Sequence, residues 1–407
     1  MKQFKIVLTV ALCALLCFAA AGCGVTEPSQ QCKTPSFDLA ADVSAIADAM
    51  TDKVLGVEIP TVDYLRISPE FEQYLPADSK TRSDVLAEQA LLLCSGYEKA
   101  TDESSFVSAG LTVLEQVNYD KAPTDVSHTC AYTIGQKQVT YGGETRALAV
   151  VAVRGTGIGE WYSNFDFCSS KSDDSVYAEN FLSAATDLQL HFEEIIADIA
   201  NPLVLVCGHS RGGAVANLLA AFQNAKRGQE NVFAYTFATP NTVKRGFSPV
   251  DCANVFNYVN EQDVVPQMPL SAWGYERLGT DVTLSFASTD YLKKEVDDCA
   301  QILAQVSPSV KDYYGSRFSL TGSGVSEDGI TPYELMLCFC QALTGGSDGA
   351  LSSLSMLRSV SANSAYAPLC EKINELSKSP SRAVALGVQH LQGTYQQRII
   401  SLTSTEA

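Results

Sequence analysis

Residues Leu203–Gly212 read LVLVCGHSRG, in which five apolar residues precede the sequence Gly-His-Ser-Arg-Gly. A run of small residues follows, so the pattern G-x-S-x-G lies between a buried strand and a helix. We predict a sharp turn with Ser210 at its apex, in a strained backbone conformation that holds the hydroxyl clear of the sheet. The residues two before and two after the serine then crowd each other, which requires glycine at Gly208 and Gly212. Ser210 is therefore a candidate nucleophile.

A second copy of the pattern, Gly345–Gly349, has the sequence Gly-Gly-Ser-Asp-Gly. No apolar strand precedes it and turn-forming residues surround it, so we predict a loop there. The context, rather than the pattern, distinguishes Ser210 from Ser347.

Apolar periodicity along the chain alternates between the helical and the extended type. This alternation predicts a mostly parallel sheet with helices on both faces. Ligands in such sheets bind at the carboxyl ends of the strands, where Ser210 falls. The predicted helices are Phe37–Val57, Arg82–Lys99, Val176–Ala200 and Arg211–Ala225, and the predicted strands are Thr129–Ile134, Gln138–Tyr141, Leu148–Val153, Leu203–Cys207, Val232–Phe237 and Val255–Val259.

A serine hydroxyl needs a base that accepts its proton, and the base needs a carboxylate that orients it. The chain has four histidines. His209 is adjacent to Ser210, so its side chain points away from the nucleophile, and His128 and His191 precede the nucleophile strand. His390 lies downstream, as the order Ser, acid, His of α/β-hydrolases requires. His390 is therefore the candidate base, and a structural surface histidine is the alternative interpretation.

The orienting carboxylate is expected just past the end of a strand. Asp263 is our candidate because the segment Asn260–Pro266 follows the strand Val255–Val259 directly. Glu261 is the second candidate, and Asp251 is disfavoured because it precedes the strand. A cap on a local turn is the structural alternative for Asp263.

A developing oxyanion needs at least two hydrogen-bond donors aimed at it. The backbone N–H of Arg211, directly after the nucleophile, is one candidate. The loop after an earlier strand supplies the second donor, and Thr156 in Val153–Gly157 offers both an N–H and a hydroxyl there. The same stretch lacks the G-x-G-x-x-G spacing of dinucleotide loops, so we expect no nucleotide cofactor.

These segments together resemble the class 3 (fungal-lipase-like) lipase family. The resemblance covers roughly residues 140–270 and the segment around His390. It implies an α/β-hydrolase fold and hydrolysis of carboxylic esters by a Ser-Asp-His triad, with Thr156 as an oxyanion donor, and it favours Asp263 over Glu261. The motifs that carry it are VRGTG from Val153, Trp161 with Asn164, GHSRGGAVANLLA from Gly208, TFATPN from Thr236 and VNEQDVVPQMP from Val259.

The residues and the resemblance predict a serine carboxylester hydrolase that acts on acyl esters, with lipids as the expected substrates. The reaction needs no cofactor, and we expect a monomer. A thioesterase or an amidase with the same triad is the alternative among enzymes. A catalytically silent binding protein of the same fold is the alternative outside enzymes.

The N-terminus has the features of an export signal. A positively charged start precedes the apolar run Ile6–Ala21, which is shorter than the roughly 20 residues of a membrane span. Small residues up to Cys23 resemble a bacterial lipoprotein signal, in which the cysteine is lipidated; a plain secretory signal is the alternative. We expect export to the cell envelope and anchoring through the lipid on Cys23. The expected division of the chain is a signal peptide at 1–22, a tether at 23–37 and a hydrolase domain at 38–407.

The long gap between Asp263 and His390 predicts an insertion into the hydrolase domain. Because the sheet needs few further residues after Val255–Val259, we assign residues 270–380 to a helical cap over the strand ends. A second helical layer packed away from the site is the alternative. Helical patterns fall at Asp290–Val306 and Pro332–Leu343.

The charge of the chain excludes one class of partner. Its formal net charge is −18, and removal of Lys2 and Lys5 with a signal peptide takes it to −20. So acidic a surface repels nucleic acid and anionic headgroups, which excludes nucleic-acid binding and leaves membrane attachment to the lipid or to apolar surface.

Thirteen cysteines are present, of which ten remain when Cys13, Cys17 and Cys23 are set aside. An even number in an exported chain suggests some disulfides, although Cys207 in the nucleophile strand is expected to be a buried free thiol. Cys338-Phe339-Cys340 lacks the C-x-x-C spacing of zinc sites, so we predict no metal.

Cys23→Ala is expected to release the protein from the membrane fraction, or to block its processing, without changing its intrinsic activity. Two or more acyl chains are needed for stable anchoring, and the variant carries none. Mass spectrometry of the native N-terminus tests this directly. A mature chain that starts elsewhere and carries no acyl mass would contradict the prediction.

Overall fold

The computed structural model describes residues 60–95, 101–117, 130–155, 176–263, 265–269, 271, 274–285 and 388–405, together with 294, 297 and 301. Almost all of them belong to one compact unit, Pro60–Phe167 with Val176–Ser288 and Gln389–Ala407. The predicted signal peptide, tether and first helix, Phe37–Val57, lie outside the described residues. So do the predicted helix Pro332–Leu343 and the loop at Gly345–Gly349.

Seven of the described strands form one mixed sheet in the order β1-β2-β3-β4-β5-β7-β9. The strands β1 to β3 pair antiparallel, and every later pair in this sheet is parallel. Two short strands, β6 and β8, pair separately. The strands are β1 Thr112–Val117, β2 Tyr132–Tyr141, β3 Glu144–Val153, β4 Leu203–His209, β5 Val232–Phe237, β6 Val243–Lys244, β7 Val255–Asn260, β8 Tyr275–Glu276 and β9 Thr280–Leu284.

The hairpin predicted around Gly142 and Gly143 is present. Both glycines have positive φ, 61° and 85°, and Tyr141 pairs with Glu144 across the turn. The two strands predicted before the turn are wrong in one respect, because β2 runs unbroken from Tyr132 to Tyr141. A continuous partner in β3 pairs with every residue of it, so the polar residues in its middle do not interrupt the ladder.

Helices cover both faces of the sheet, as predicted. On one face α1 packs against β4 and β5 and also contacts α5, and on the other α4 packs against the same strands and against α3. None of the helices in the described part of the chain is long and apolar enough to cross a bilayer. The helices are α1 Asp84–Cys94, α2 Thr101–Ser108, α3 Glu179–Ile195, α4 Arg211–Arg227 and α5 Gln392–Thr405.

The helix predicted at Val176–Ala200 is shorter at both ends, since α3 begins at Glu179 and ends at Ile195. Its predicted first turn is instead held to the short strand β6. Tyr177 forms a β-bridge with Val243, and the N–H of Ala178 donates to the carbonyl of Thr242. Tertiary pairing therefore overrides the apolar periodicity at this end.

The sheet continues further along the chain than the sequence predicts. Thr280–Leu284 pairs parallel with β7 and forms the edge of the sheet, although the predicted insertion began at residue 270. The boundary of that insertion was therefore placed too early. Of the rest of the segment 270–380, the structure describes little beyond β8 and β9, so its proposed role as a cap lies outside the described residues.

The central strand β4 is buried along its whole length. Leu203, Leu205 and Cys207 lie in one apolar cluster with side chains of α1, while Val204 and Val206 alternate to the face that α4 covers. Cys207 is a buried free thiol, as expected. This mostly parallel sheet, with a turn from β4 directly into α4, is the α/β-hydrolase fold.

Leu205→Ala is expected to lower the free energy of unfolding by about 2–5 kcal/mol, because the side chain is fully buried and its removal leaves a cavity between sheet and α1. Leu65→Ala is the matched control, since Leu65 is 96% exposed and its loss should change stability by less than about 0.5 kcal/mol. Urea unfolding of both variants checks this. Equal losses would show that β4 is not at the centre of the core.

Candidate active site

Ser210 lies at the apex of the turn between β4 and α4, with φ 59° and ψ −128°. Its N–H donates to the carbonyl of Phe237 at the end of β5, at 2.9 Å. A Cβ on Gly208 would lie 2.2 Å from the carbonyl oxygen of Gly212, and a Cβ on Gly212 would lie 2.3 Å from that of Arg154. The backbone segments approach each other so closely that only glycine fits at both positions.

His390 lies just before α5 and connects Ser210 with Asp263. Its Nδ1 is 2.8 Å from Oδ2 of Asp263, and its Nε2 is 2.9 Å from Oγ of Ser210. Because a carboxylate only accepts, Nδ1 carries the proton, and Nε2 is then an acceptor for the Ser210 hydroxyl. The structure thus brings together Ser210, Asp263 and His390, which the sequence analysis selected from three separate segments.

Asp263 follows β7 and is completely buried. Its Oδ2 also accepts from the hydroxyl of Tyr395 at 2.9 Å, and its Oδ1 accepts from the N–H of Val265 at 3.0 Å. The Tyr395 oxygen accepts in turn from the N–H of Asn260 at 3.1 Å. Burial, and next the charge of Asp263, raise the pKa of Tyr395 well above its ordinary value, so this hydroxyl stays a donor.

The other candidate carboxylates lie elsewhere. Asp251 pairs with Lys80 at 3.2 Å on the surface, before β7 begins. Glu261 accepts from the side chain of Gln262 at 2.9 Å. Only Asp263 among the three has a contact with His390 in the described part of the chain.

Neither of the other two histidines in the described residues, His191 and His209, forms a hydrogen bond with the hydroxyl of Ser210. His191 is exposed on α3, and His128 lies outside the described residues. His209 is buried, and its Nε2–H donates to the backbone carbonyl of His390 at 3.0 Å. Its ring lies 5.0 Å from the ring of His390, so His209 supports the segment that carries the candidate base.

The structure describes one of the two candidate oxyanion donors, Arg211. Arg211 begins α4, where N–H groups point out of the helix N-terminus rather than to a helical carbonyl. Gly155 lies against the turn, since a Cβ there would be 3.7 Å from Cβ of Ser210. Thr156 is the next residue along and lies outside the described residues.

Sequence reasoning missed α5 and the polar residues that it contributes. Tyr395 and Arg398 are three residues apart, which places them on one helical face. That spacing was the available signal, but the segment after His390 is rich in glutamine, which is typical of a solvent-exposed segment.

Within the part of the chain that the structure describes, no group of three His, Cys, Asp or Glu side chains is arranged to hold a metal ion.

Comparison with known proteins shows that part of this site resembles a known family. The family model for class 3 lipases matches residues 150–273, which include the turn, Ser210 and Asp263. Residues 150–273 are therefore similar to class 3 lipases. The class 3 lipase segment ends well before His390, which the fold brings back to it.

Relatives of the class 3 lipase segment are found in fungi and bacteria. The secreted mono- and diacylglycerol lipase A of Penicillium cyclopium is 27% identical over 169 residues, which cover 39% of this chain and 53% of that protein. Toxin TseL of Vibrio cholerae is 36% identical over 93 residues, covering 22% of this chain and 14% of the toxin. This chain therefore spans about half the length of the fungal lipases that it matches.

Solved structures with partial similarity are also lipases. A lipase from Rhizopus microsporus var. chinensis is 18% identical with a TM-score of 0.39, covering 56% of this chain and 84% of that one. The triacylglyceride lipase of Rhizomucor miehei is 17% identical with a TM-score of 0.37, covering 49% and 79%.

His209 is expected to stay neutral in the folded protein under mildly acidic conditions. Burial, and next the charge of His390, hold its pKa well below the ordinary value of 6.5, whereas the unfolded chain takes up a proton near that value. Its contribution to stability is therefore complete above about pH 6.5 and is lost as the pH falls, by at most about 1.4 kcal/mol per pH unit.

Two measurements check this prediction. The ring resonances of His209, identified by their absence in His209→Gln, should not shift between pH 7.5 and 5. Urea unfolding over the same range should show a smaller loss of stability in His209→Gln than in the parent protein. A resonance that titrates near pH 6.5 would contradict the neutral state.

Proposed function

We propose that this protein is a serine carboxylester hydrolase that acts on acyl esters of lipids. The contact of His390 with both Ser210 and Asp263 carries the proposal. A hydroxyl, an imidazole and a buried carboxylate in hydrogen-bonded series are what nucleophilic attack on an acyl carbonyl needs.

In the first half of the reaction, Oγ of Ser210 attacks the ester carbonyl while Nε2 of His390 accepts the serine proton. The carboxylate of Asp263 keeps the imidazole oriented and stabilises its charged form. The tetrahedral intermediate collapses as His390 returns that proton to the leaving alcohol oxygen. The C–O bond to the alcohol breaks, and the acyl group remains on Ser210 as an ester.

In the second half, water attacks the acyl carbonyl and gives a proton to His390. The bond to Ser210 then breaks, the serine oxygen recovers the proton and the carboxylic acid leaves. The N–H groups of Arg211 and Thr156, with the Thr156 hydroxyl, are proposed to hold the negative oxygen in both intermediates. No cofactor takes part.

Three features support a role for the Tyr395 hydroxyl in orienting the carboxylate of Asp263. It is fully buried, it donates to the same Oδ2 that accepts from His390, and it is itself held by the N–H of Asn260. A carboxylate that accepts from several donors is fixed in direction, which is what the orienting member of the triad requires.

The lipid nature of the substrate is supported by the relatives, which are named as mono- and diacylglycerol lipases. Those fungal relatives are secreted, which agrees with an export signal in this chain. We further propose that Cys23 is lipidated after cleavage of residues 1–22, which anchors the enzyme to a membrane that contains its substrate. We propose that the anchored enzyme is a monomer.

Ser210→Ala is expected to lower ester hydrolysis by roughly 10⁴-fold or more and to abolish labelling by a fluorophosphonate probe, because no other group replaces the nucleophile. Ser347→Ala is the matched control, since it changes the serine of the second G-x-S-x-G pattern. Initial rates on a short-chain p-nitrophenyl ester and the mass of the labelled peptide give the two readouts.

Matched ester, thioester and amide substrates separate the rival enzyme classes. The proposal expects the ester to react fastest, and a preference for the thioester or the amide would reassign the substrate. A wild-type protein that neither hydrolyses any of them nor takes the probe would be a binding protein of this fold. Labelling at Ser347 would overturn the assignment of the nucleophile.

A further inference from the structure

Two loops must lie at a fixed separation for the candidate triad to form. One follows β7 and contains Asp263, and the other precedes α5 and contains His390. Asp263 and His390 are 127 positions apart along the chain. A contact of about 2.8 Å between two such loops needs something that fixes their separation.

The side chain of Arg398, on α5, binds to both loops. Its Nη1 donates to the side-chain oxygens of Asn260 and Gln262, the latter at 2.9 Å, and its Nη2 donates to Oε1 of Gln389 at 2.7 Å. Nη1 also lies 3.3 Å from the carbonyl oxygen of Leu284, in β9. Gln262 precedes Asp263 directly, and Gln389 precedes His390 directly.

A second set of contacts ties the same residues together. The side-chain amide of Asn260 donates to the backbone carbonyl of Gln389 at 2.9 Å, and the N–H of Gln262 donates to Oδ1 of Asn260 at 3.1 Å. Arg398, Asn260, Gln262 and Gln389 are all buried. The network therefore lies in the interior, where each hydrogen bond is strong and a missing partner is costly.

We propose that Arg398 is a positioning residue that sets the distance between the Asp263 loop and the His390 loop through Gln262 and Gln389. This rests on the function proposed above. Arg398 contacts neither the substrate nor the reacting atoms; it acts through the residues next to two members of the triad.

The chemistry of arginine suits this role. The guanidinium is planar and rigid, so its two terminal nitrogens bind acceptors on two loops at a fixed spacing, which the single ammonium of lysine cannot do. The four acceptors named above are neutral amide or carbonyl oxygens. Burial lowers the pKa of Arg398, and the charges of nearby acidic groups, Asp263 and Glu261 among them, offset this only in part. A geometric role in the site accounts for a buried cation that a smaller neutral side chain would replace at lower cost.

Arg398→Lys keeps the positive charge but replaces the two terminal nitrogens of the guanidinium by one. It therefore tests whether the spacing of those nitrogens sets the separation of the two loops. The expected result is a kcat lower by about 10- to 100-fold with KM within about twofold of wild type, because misplacing His390 against Asp263 affects chemistry rather than binding. The rate constant for labelling of Ser210 by a fluorophosphonate should fall in parallel, since it depends on the same activation of the serine.

Arg146→Lys is the matched control. Arg146 also joins two loops through neutral oxygens, the carbonyl of Asn201 at 2.9 Å and Oδ1 of Asn231 at 2.8 Å. Those loops precede β4 and β5, at the end of the sheet away from Ser210. The control is expected to leave kcat, KM and the labelling rate unchanged.

A second variant decides the matter if Arg398→Lys does not fold. Gln389→Met removes the acceptor on the His390 loop and leaves the bonds from Arg398 to Asn260 and Gln262. It is expected to lower kcat at nearly constant KM in the same way. A kcat within about twofold of wild type in the variants that fold, or a fall no larger than in Arg146→Lys, would overturn the role of Arg398 and leave the proposed hydrolase intact. A wild-type protein that is inert towards esters and towards the probe would overturn both.

Discussion

The positive φ of Ser210 is the constraint on which the rest of the site depends. The conformation requires β4 and α4 to meet almost without side chains between them, so Gly208 and Gly212 lie against backbone carbonyls at separations that no Cβ allows. The strain is offset by the burial of β4 on both faces and by α4 packing on the sheet. The hydroxyl is thereby presented at the carboxyl ends of the strands, with the N-terminus of a helix beside it.

The partners of that hydroxyl are supplied by a different kind of interaction. Asp263 and His390 come from loops with little secondary structure of their own, and their placement depends on buried polar contacts with α5. Tyr395 holds the carboxylate, Arg398 spans the two loops, and His209 holds the backbone of His390. The proposed nucleophile is thus held by backbone packing, whereas the proposed base and carboxylate are held by a side-chain network, in which removal of one member leaves the others unsatisfied.

This division explains which parts of the fold were open to prediction from sequence. The strands β4, β5 and β7 and the helix α4 are marked by continuous apolar runs or by helical periodicity, and the predicted bounds lie within a few residues of the observed ones. The edge strand β9 was missed because it is short and three of its five residues are exposed polar side chains. Helix α5 was missed because it is largely polar, and its buried residues include tyrosine, threonine, glutamine and arginine beside a single isoleucine.

The sequence by itself determined the turn at Ser210, since G-x-S-x-G between an apolar strand and a helix is a local pattern with a local physical cause. It also reduced the choice of base to one histidine by chain order, and it placed Asp263 at the end of a strand. The tertiary structure alone decided that these residues meet, and it alone revealed the Tyr395 and Arg398 contacts. Apart from the bond between Arg398 and Gln389, those contacts join positions more than 100 residues apart, and a separation of that kind leaves no periodic trace along the chain.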